Sequence, residues 1–342
     1  MILIDAAYIN ESGGLVLLEK VIKEFSKSRI KSHLLLDERI PELFINKLNI
    51  DYTLIKSNER NRKKFYTLKS NRYEKVFCFA NVPPPIKINI ETFILFHNKI
   101  IISSFSELNL FSIKSKLIYF LKKIYIRYRN KSHYKWIVQT KSMKKKLSFS
   151  LLISKNKILT IPLFSDFSAD QKNLKLKQKK VFTYVADGGI NKNHDRLLDA
   201  WDFLHQKYSV LPKLNLTVSY KFPKLITKIN KLIKKGINIS NHGLCNKSEI
   251  INLYNKSEYL IYPSLIESFG LPLIEANKFD CNIISSDLDY VHDIVKPSLV
   301  FDPNSVISIS ETVYLALNND YIPKSKTLIK SKTNELLKLF YE

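Results

Sequence analysis

The chain is poor in cysteine, glycine and negative charge. Three cysteines in 342 residues (Cys78, Cys245 and Cys281) are too few for a disulfide framework and share no metal-type spacing, which points to a reducing cytosol. Seven glycines leave no G-x-G-x-x-G, which argues against a dinucleotide cofactor. No run approaches ~20 uncharged apolar residues, and Met1 leads straight into a strand-like segment, so neither a membrane span nor a signal peptide is expected. Acids number 31 against 55 Lys and Arg, a net charge of +24. At 45% hydrophobic the chain is no disordered basic tail. Only eight of the cations are Arg, and the richness in Lys, Ile and Asn is what a nucleotide-biased genome writes on neutral surfaces. Such a charge still steers phosphates and anionic lipids toward the surface, without choosing between nucleic acid, membrane and small-molecule phosphate.

What is present is an alternation of apolar runs and helical patterns, repeated twice. Met1–Asp5, His33–Leu36, Asp51–Ile55, Lys75–Phe79, Thr92–Phe96, Trp136–Gln139 and Lys157–Ile161 read as strands, with an amphipathic helix at Leu15–Phe25. The polar, aperiodic 165–180 reads as a linker. Val181–Ala186, Leu214–Ser219, Ile237–Ser240, Tyr259–Tyr262, Asn282–Ser285 and Leu299–Phe301 continue the strands, with helices at His194–Gln206, Pro223–Lys235, Lys247–Tyr254, Pro272–Phe279 and Ser305–Leu317. Strands separated by helices argue for βαβ units and parallel sheets. The expectation is therefore α/β: two Rossmann-like domains, 1–164 and 181–323, facing across a cleft, with 324–342 as a closing helix that could cross back to the first. Ligands in such sheets sit beyond the carboxyl ends of the strands, so the strand-to-helix loops hold the candidates.

The loop after the first strand, Ala6–Gly14, ends in Gly13 and Gly14, which would let a ligand approach the backbone and the following helix N-terminus. A tight turn would call for the same pair. The loop Asp187–Asn193 carries Gly188 and Gly189, then Lys192 just before a helix. A cation there opposes the helix dipole at a cost of ~0.3–1 kcal/mol, which invites an anion bound between them; a solvated lysine is the plain alternative. Tyr262–Ala276, YPSLIESFGLPLIEA, follows a strand, turns at Gly270 and enters a helix with an early Pro272. Glu267 is expected in the loop and Glu275 in the first helical turn. Eight helical residues span ~12 Å, beyond the ~5–9.5 Å of a hydrolase carboxylate pair, so separate roles fit better.

Glu267-x7-Glu275, with Phe269-Gly270-Leu271-Pro272 between, resembles the E-x7-E signature of glycosyltransferase family 4, a GT-B family of sugar transferases. Asn241–Gly243 and Ser248–Tyr254 upstream, and Ile284–Val295 with Phe301-Asp302-Pro303 downstream, extend the likeness. Val185–Trp201 is similar to the phosphate-loop region of that family's donor domain. Phe96-His97-Asn98, Phe79-Ala80-Asn81 before three prolines, and Gln139-Thr140 resemble segments of polysaccharide-assembly members. The resemblance implies a nucleotide-diphosphate sugar donor, with Glu275 on the ribose hydroxyls and Glu267 on the transferred sugar. Lys192 would neutralise the diphosphate, and backbone at Ser268, Phe269, Gly270 and Leu271 would hold sugar and phosphate. Gly13, Gly14 and Gly188 would line the donor, and His97 would stand near the sugar, although a structural histidine at a strand end fits as well. One departure is plain: the family's Arg, in a G-R turn before the Lys, is replaced by Ala186-Asp187.

No Asp-x-Asp stands in a loop suited to a divalent metal, since Asp287-x-Asp289 falls on a stretch matching a non-metal part of the family; metal-independent transfer without cofactor is expected, and the resemblance implies retention of the anomeric configuration. Phe111–Arg129 mixes Leu, Ile, Phe and Tyr with six Lys/Arg. Such a helix suits an anionic membrane surface, or a domain surface with its apolar side in the core. The family's polysaccharide-assembly members imply a lipid-linked glycan acceptor at the cytoplasmic face. No nucleic-acid motif is present. Two alternatives stay open: a nucleotide-sugar epimerase or hydrolase of the same fold, and a non-enzymatic basic module binding lipid or nucleic acid.

Overall fold

The computed structural model describes residues 1–10, 12–164, 173, 177–319 and 321–341. The chain divides into two compact units: Met1–Ser165 with Lys330–Glu342 (unit 1), and Asp166–Ile329 (unit 2).

Unit 1 is built on strands β1 (Ile2–Ala6), β2 (Ser32–Asp37), β3 (Tyr52–Ile55), β4 (Lys75–Cys78), β5 (Glu91–Leu95), β6 (Lys135–Val138) and β7 (Ile158–Thr160). They form one sheet in the order β3-β2-β1-β4-β5-β6-β7, and every pairing is parallel. Parallel strands are covered on both faces, so their sequences are nearly continuous apolar runs; all five residues of β1 are buried, Asp5 among them. The Ser12–Lys27 helix buries Leu17, Leu18, Val21, Ile22 and Phe25 along one face. The Thr333–Tyr341 helix completes the same layer: its Phe340 ring lies 5.2 Å from Phe25, 5.2 Å from Phe77 and 5.0 Å from Phe93.

Unit 2 carries β8 (Gln178–Tyr184), β9 (Lys213–Leu216), β10 (Ile239–Asn241), β11 (Ser257–Tyr262), β12 (Asn282–Ser286), β13 (Val295–Lys296), β14 (Leu299–Phe301) and β15 (Lys326–Thr327). The main sheet runs β10-β9-β8-β11-β12-β14, again parallel, and β13 pairs antiparallel with β15. In both sheets the winding reverses direction, between β1 and β4 in unit 1 and between β8 and β11 in unit 2. The loops at the carboxyl ends of those strand pairs form the crevice where open α/β sheets bind ligands.

Several expectations change. Most of the 165–180 linker lies outside the described residues, but Gln178–Lys180 already belong to β8, and Lys177 Nζ donates to the Tyr254 carbonyl at 2.8 Å. The closing helix starts at Thr333, not at 324. Residues before it bond to distant partners instead of within a helix: Thr327 N and Oγ1 donate to Asn277 Oδ1 (3.0 and 2.8 Å), Leu328 N to the Ile294 carbonyl (2.8 Å) and Lys332 N to the Pro162 carbonyl (2.8 Å). Gly13 and Gly14 lie in the first turn of the Ser12–Lys27 helix, not in the loop ahead of it.

Candidate active site

The reversal point of unit 2 sets two loops side by side: residues 185–193 after β8, and 263–270 after β11. Both strands end in a buried tyrosine, and these phenols begin the lattice that joins the loops. Tyr184 OH donates to the Lys192 carbonyl at 2.8 Å and so receives the Ser264 hydroxyl, also at 2.8 Å. Tyr290 OH and Ser286 Oγ donate to the Ser264 carbonyl at 2.8 and 3.1 Å. Leu265 N donates to the Asn191 carbonyl (2.8 Å), and Asn191 Nδ2 returns a bond to the Ile266 carbonyl (2.9 Å). Asn193, left-handed at φ 62°, ties Pro263 and Pro303 together through its amide at 3.1 and 2.7 Å.

This lattice brings Lys192 and Glu267 together, 75 residues apart in sequence: Lys192 Nζ donates to Glu267 Oε1 at 2.6 Å. The side chains are 20% and 12% exposed. Tyr262 OH donates to the same oxygen at 3.2 Å. Burial alone would lower the Lys192 pKa, but the carboxylate of Glu267, aided by Asp187, more than offsets it, and the ammonium is held above its usual value. Asp187, where the family's Arg would stand, uses its carboxylate to accept Gly189 N at 2.9 Å. Gly188 has a packing reason of its own: a Cβ there would lie 2.3 Å from the Phe222 ring.

Gly270 caps the Leu271–Lys278 helix at φ 90°, a conformation that favours glycine, and Pro272 follows in the first turn. The N–H groups of a first helical turn lack intrahelical acceptors, which makes this end a place for a polar ligand. Phe269 is buried, and Ser268 and Leu271 are partly buried beside it. Glu275 falls in the second turn, not the first: it is the fifth helical residue because the helix opens at Leu271. It accepts from Tyr254 OH at 3.1 Å, and burial raises its pKa against that bond and Lys247.

Unit 1 carries its own cluster. His97 follows β5; Asn81 Oδ1 accepts its backbone N–H at 2.6 Å, and its Nε2 donates to the Phe79 carbonyl at 3.1 Å. Burial, opposed by that carbonyl, lowers its pKa to about 4, so the ring is neutral at pH 7 with Nδ1 left as acceptor. A Cβ on Gly14 would lie 3.6 Å from His97 Cε1, whereas nothing lies within 4 Å of a Cβ on Gly13.

A cavity of about 620 Å³ opens at the same edge, lined by Tyr8, Glu59, Asn81, Asn98, Leu121 and Tyr125 among others. Glu59 joins its two sides, accepting from Tyr8 OH at 2.6 Å and from Tyr125 OH. Beneath it lies a buried network: Arg62 donates to Asp5 at 2.8 Å and to the Pro83 carbonyl at 2.8 Å, and Tyr66 OH to Asp5 at 2.6 Å.

Tyr125 belongs to the Ile113–Arg129 helix, which buries only Ile126, exposes Ile113, Leu117, Leu121, Ile124 and Tyr128, and carries six cations and no acid. Among the described residues, no helix is long and apolar enough to cross a membrane. The tyrosine and serine partners of the Lys192–Glu267 pair are absent from the sequence reading. The signal available was Tyr184 and Tyr262, each the last residue of a strand.

With this geometry, comparison with known proteins defines the class first. A glycosyltransferase from Rickettsia africae superposes with a TM-score of 0.68 at 16% identity, over 92% of this chain and 87% of that one. Anabaena HepE, solved in complex with UDP and glucose, gives 0.66 at 11%, over 93% and 90%. At such identities the likeness establishes the fold, which is the GT-B arrangement of two parallel α/β units. Residues 166–335 match the sequence model of the family described as glycosyl transferases group 1. The O-antigen chain mannosyltransferase B of Escherichia coli is 26% identical over 129 residues, 34% of this chain and 33% of that protein, so the match spans about a third of the relative's length.

Proposed function

We propose that the protein is a glycosyltransferase of the family 4 type, moving one sugar from a nucleotide-diphosphate donor to a glycan acceptor in surface polysaccharide synthesis. The observation that carries the reading is the meeting of Lys192 and Glu267, 2.6 Å apart, where two loops adjoin at the reversal point of a parallel sheet. The group 1 match over this unit supports it, as do a mannosyltransferase among the relatives and a UDP-bound structure of the same fold.

As the anomeric C–O bond breaks, negative charge gathers on the leaving diphosphate, and a fixed cation with N–H dipoles aimed at it stabilises the transition state. Lys192 supplies that cation, in the role a divalent metal would fill elsewhere, so transfer is metal-independent. Glu267 holds hydroxyls of the transferred sugar and Glu275 those of the ribose. The backbone at Ser268–Leu271 and around Gly188 receives sugar and phosphate oxygens. Transfer retains the anomeric configuration, the departing phosphate taking the acceptor's proton.

Unit 1 takes the acceptor beside the Glu59 cavity, while Gly13 and Gly14 serve the donor and His97 the transferred sugar. The acceptor is lipid-linked, and the Ile113–Arg129 helix rests on an anionic leaflet at the cytoplasmic face, its cations drawn to the lipid headgroups. The test is incubation with UDP-, GDP- and ADP-sugars, with and without membrane extract. Release of nucleoside diphosphate that requires both donor and extract supports transfer. Donor consumed equally without extract would point to a hydrolase or epimerase, and no consumption of any donor rejects the reading.

A further inference from the structure

Resting on the nucleotide-sugar reading, we infer that Glu267 selects a sugar-bearing donor over the spent nucleoside diphosphate by competing with the diphosphate for Lys192. The ammonium is already matched before any ligand arrives: Lys192 Nζ sits 2.6 Å from Glu267 Oε1, and both side chains are largely out of water. Tyr262, fully buried, reaches the same oxygen at 3.2 Å but cannot replace the cation's charge. Asp187 adds a second negative group within electrostatic reach of Lys192.

A bare diphosphate that draws Lys192 to itself does so at the expense of the pairing with Glu267. The carboxylate, 12% exposed, then shares or loses its cation while facing new anionic oxygens. Stripping the partner from a buried charge is among the costliest local changes a protein suffers. A donor avoids much of this cost, because the hydroxyls of its attached sugar give O–H donors to the carboxylate as the ammonium turns to the phosphates. The penalty therefore falls on the product, from which the sugar has gone. Glu267 thus helps to empty the site after each transfer and limits inhibition by accumulated product.

Titration calorimetry on the full chain, with UDP, GDP and ADP and with their glucose or mannose conjugates, tests this. For whichever nucleotide the wild type prefers, Glu267→Gln should bind the bare diphosphate about tenfold tighter or more, roughly the equivalent of 1.4 kcal/mol. Its affinity for the donor should not rise, so donor-over-product selectivity falls by at least that factor. Tyr262→Phe keeps the carboxylate and makes it lean harder on Lys192, so it should bind the bare diphosphate more weakly than wild type. These opposite signs are not what a general loss of structure gives. If Glu267→Gln binds the diphosphate no tighter, or both variants lose donor and product alike, the inference is overturned while the donor site stands. If wild type binds none of the six probes, the nucleotide-sugar reading falls, and the inference with it.

Discussion

Replacing Lys192 by Ala removes the only side-chain cation that the described residues place on Glu267. Two consequences follow, and they can be separated. In catalysis, a unit charge ~4 Å from a phosphate oxygen is worth about 4 kcal/mol at an effective dielectric near 20. Only the share tied to charge developing on the diphosphate bears on the rate. Loss of one such oriented group costs about 10²–10³ in kcat. In stability, Glu267 keeps the Tyr262 hydroxyl but loses its ion partner. Because both side chains retain some access to water, the cost should fall below the ~3–5 kcal/mol of a fully buried pair, at about 1–3 kcal/mol. The assay is coupled detection of released nucleoside diphosphate, with kcat and KM resolved, alongside thermal unfolding. Lys192→Met combined with Glu267→Gln removes both charges, so it should recover most of the stability and none of the turnover. Turnover within about threefold of wild type in Lys192→Ala would refute the electrostatic role.

Three further outcomes follow from the packing and charge described above. Gly188→Ala sets a methyl 2.3 Å from the Phe222 ring and should cost ~1–3 kcal/mol, read as a lower melting temperature, whereas Gly13→Ala, with open space around it, should cost nothing. His194 is 3% exposed with neither ring nitrogen bonded, and burial, aided by Lys192, lowers its pKa from 6.5 to about 3. The unfolded chain therefore takes up that proton first as pH falls, and stability is lost progressively from about pH 6.5 down to pH 3, on the order of 5 kcal/mol in all; His194→Phe should flatten that part of a stability–pH curve from denaturant titrations. On vesicles with acidic lipid, Lys122→Glu with Lys123→Glu should weaken sedimentation by tenfold or more, at ~1 kcal/mol per basic residue removed; binding unchanged by the reversal, or by raised salt, would remove the membrane contact.

The sheets were legible because parallel strands write themselves as unbroken apolar runs: Ile2–Ala6 and Tyr259–Tyr262 could be little else. Elements with mixed faces were harder. The Glu59–Lys69 helix is highly charged, and its buried face includes Arg62, whose partners Asp5 and the Pro83 carbonyl are distant in sequence, so no apolar period announces it. The 324–332 stretch reads as helix by composition, yet its backbone N–H groups at Thr327, Leu328 and Lys332 donate to Asn277, Ile294 and Pro162, and only the fold reveals those acceptors. At the site, Lys192 stood out because it opposes a helix dipole, and Glu267 because of its place in the E-x7-E string. Their direct pairing was not legible: it depends on which strands are neighbours, and on Asn191, Asn193 and Ser264, whose side chains look like ordinary loop polarity.

The placement of the Thr333–Tyr341 helix bears on how the protein is made. Its Leu336, Leu337 and Phe340 belong to the same apolar cluster as Phe25, Phe77 and Phe93, although residues 166–329 intervene as a separate unit. On the ribosome unit 1 therefore keeps an uncovered aromatic patch until residues 333–341 emerge, whereas unit 2, encoded before them, already has all its parts. Removing the Thr333–Tyr341 helix would leave unit 2 with all its own elements and unit 1 without the apolar face that covers Phe25, Phe77 and Phe93.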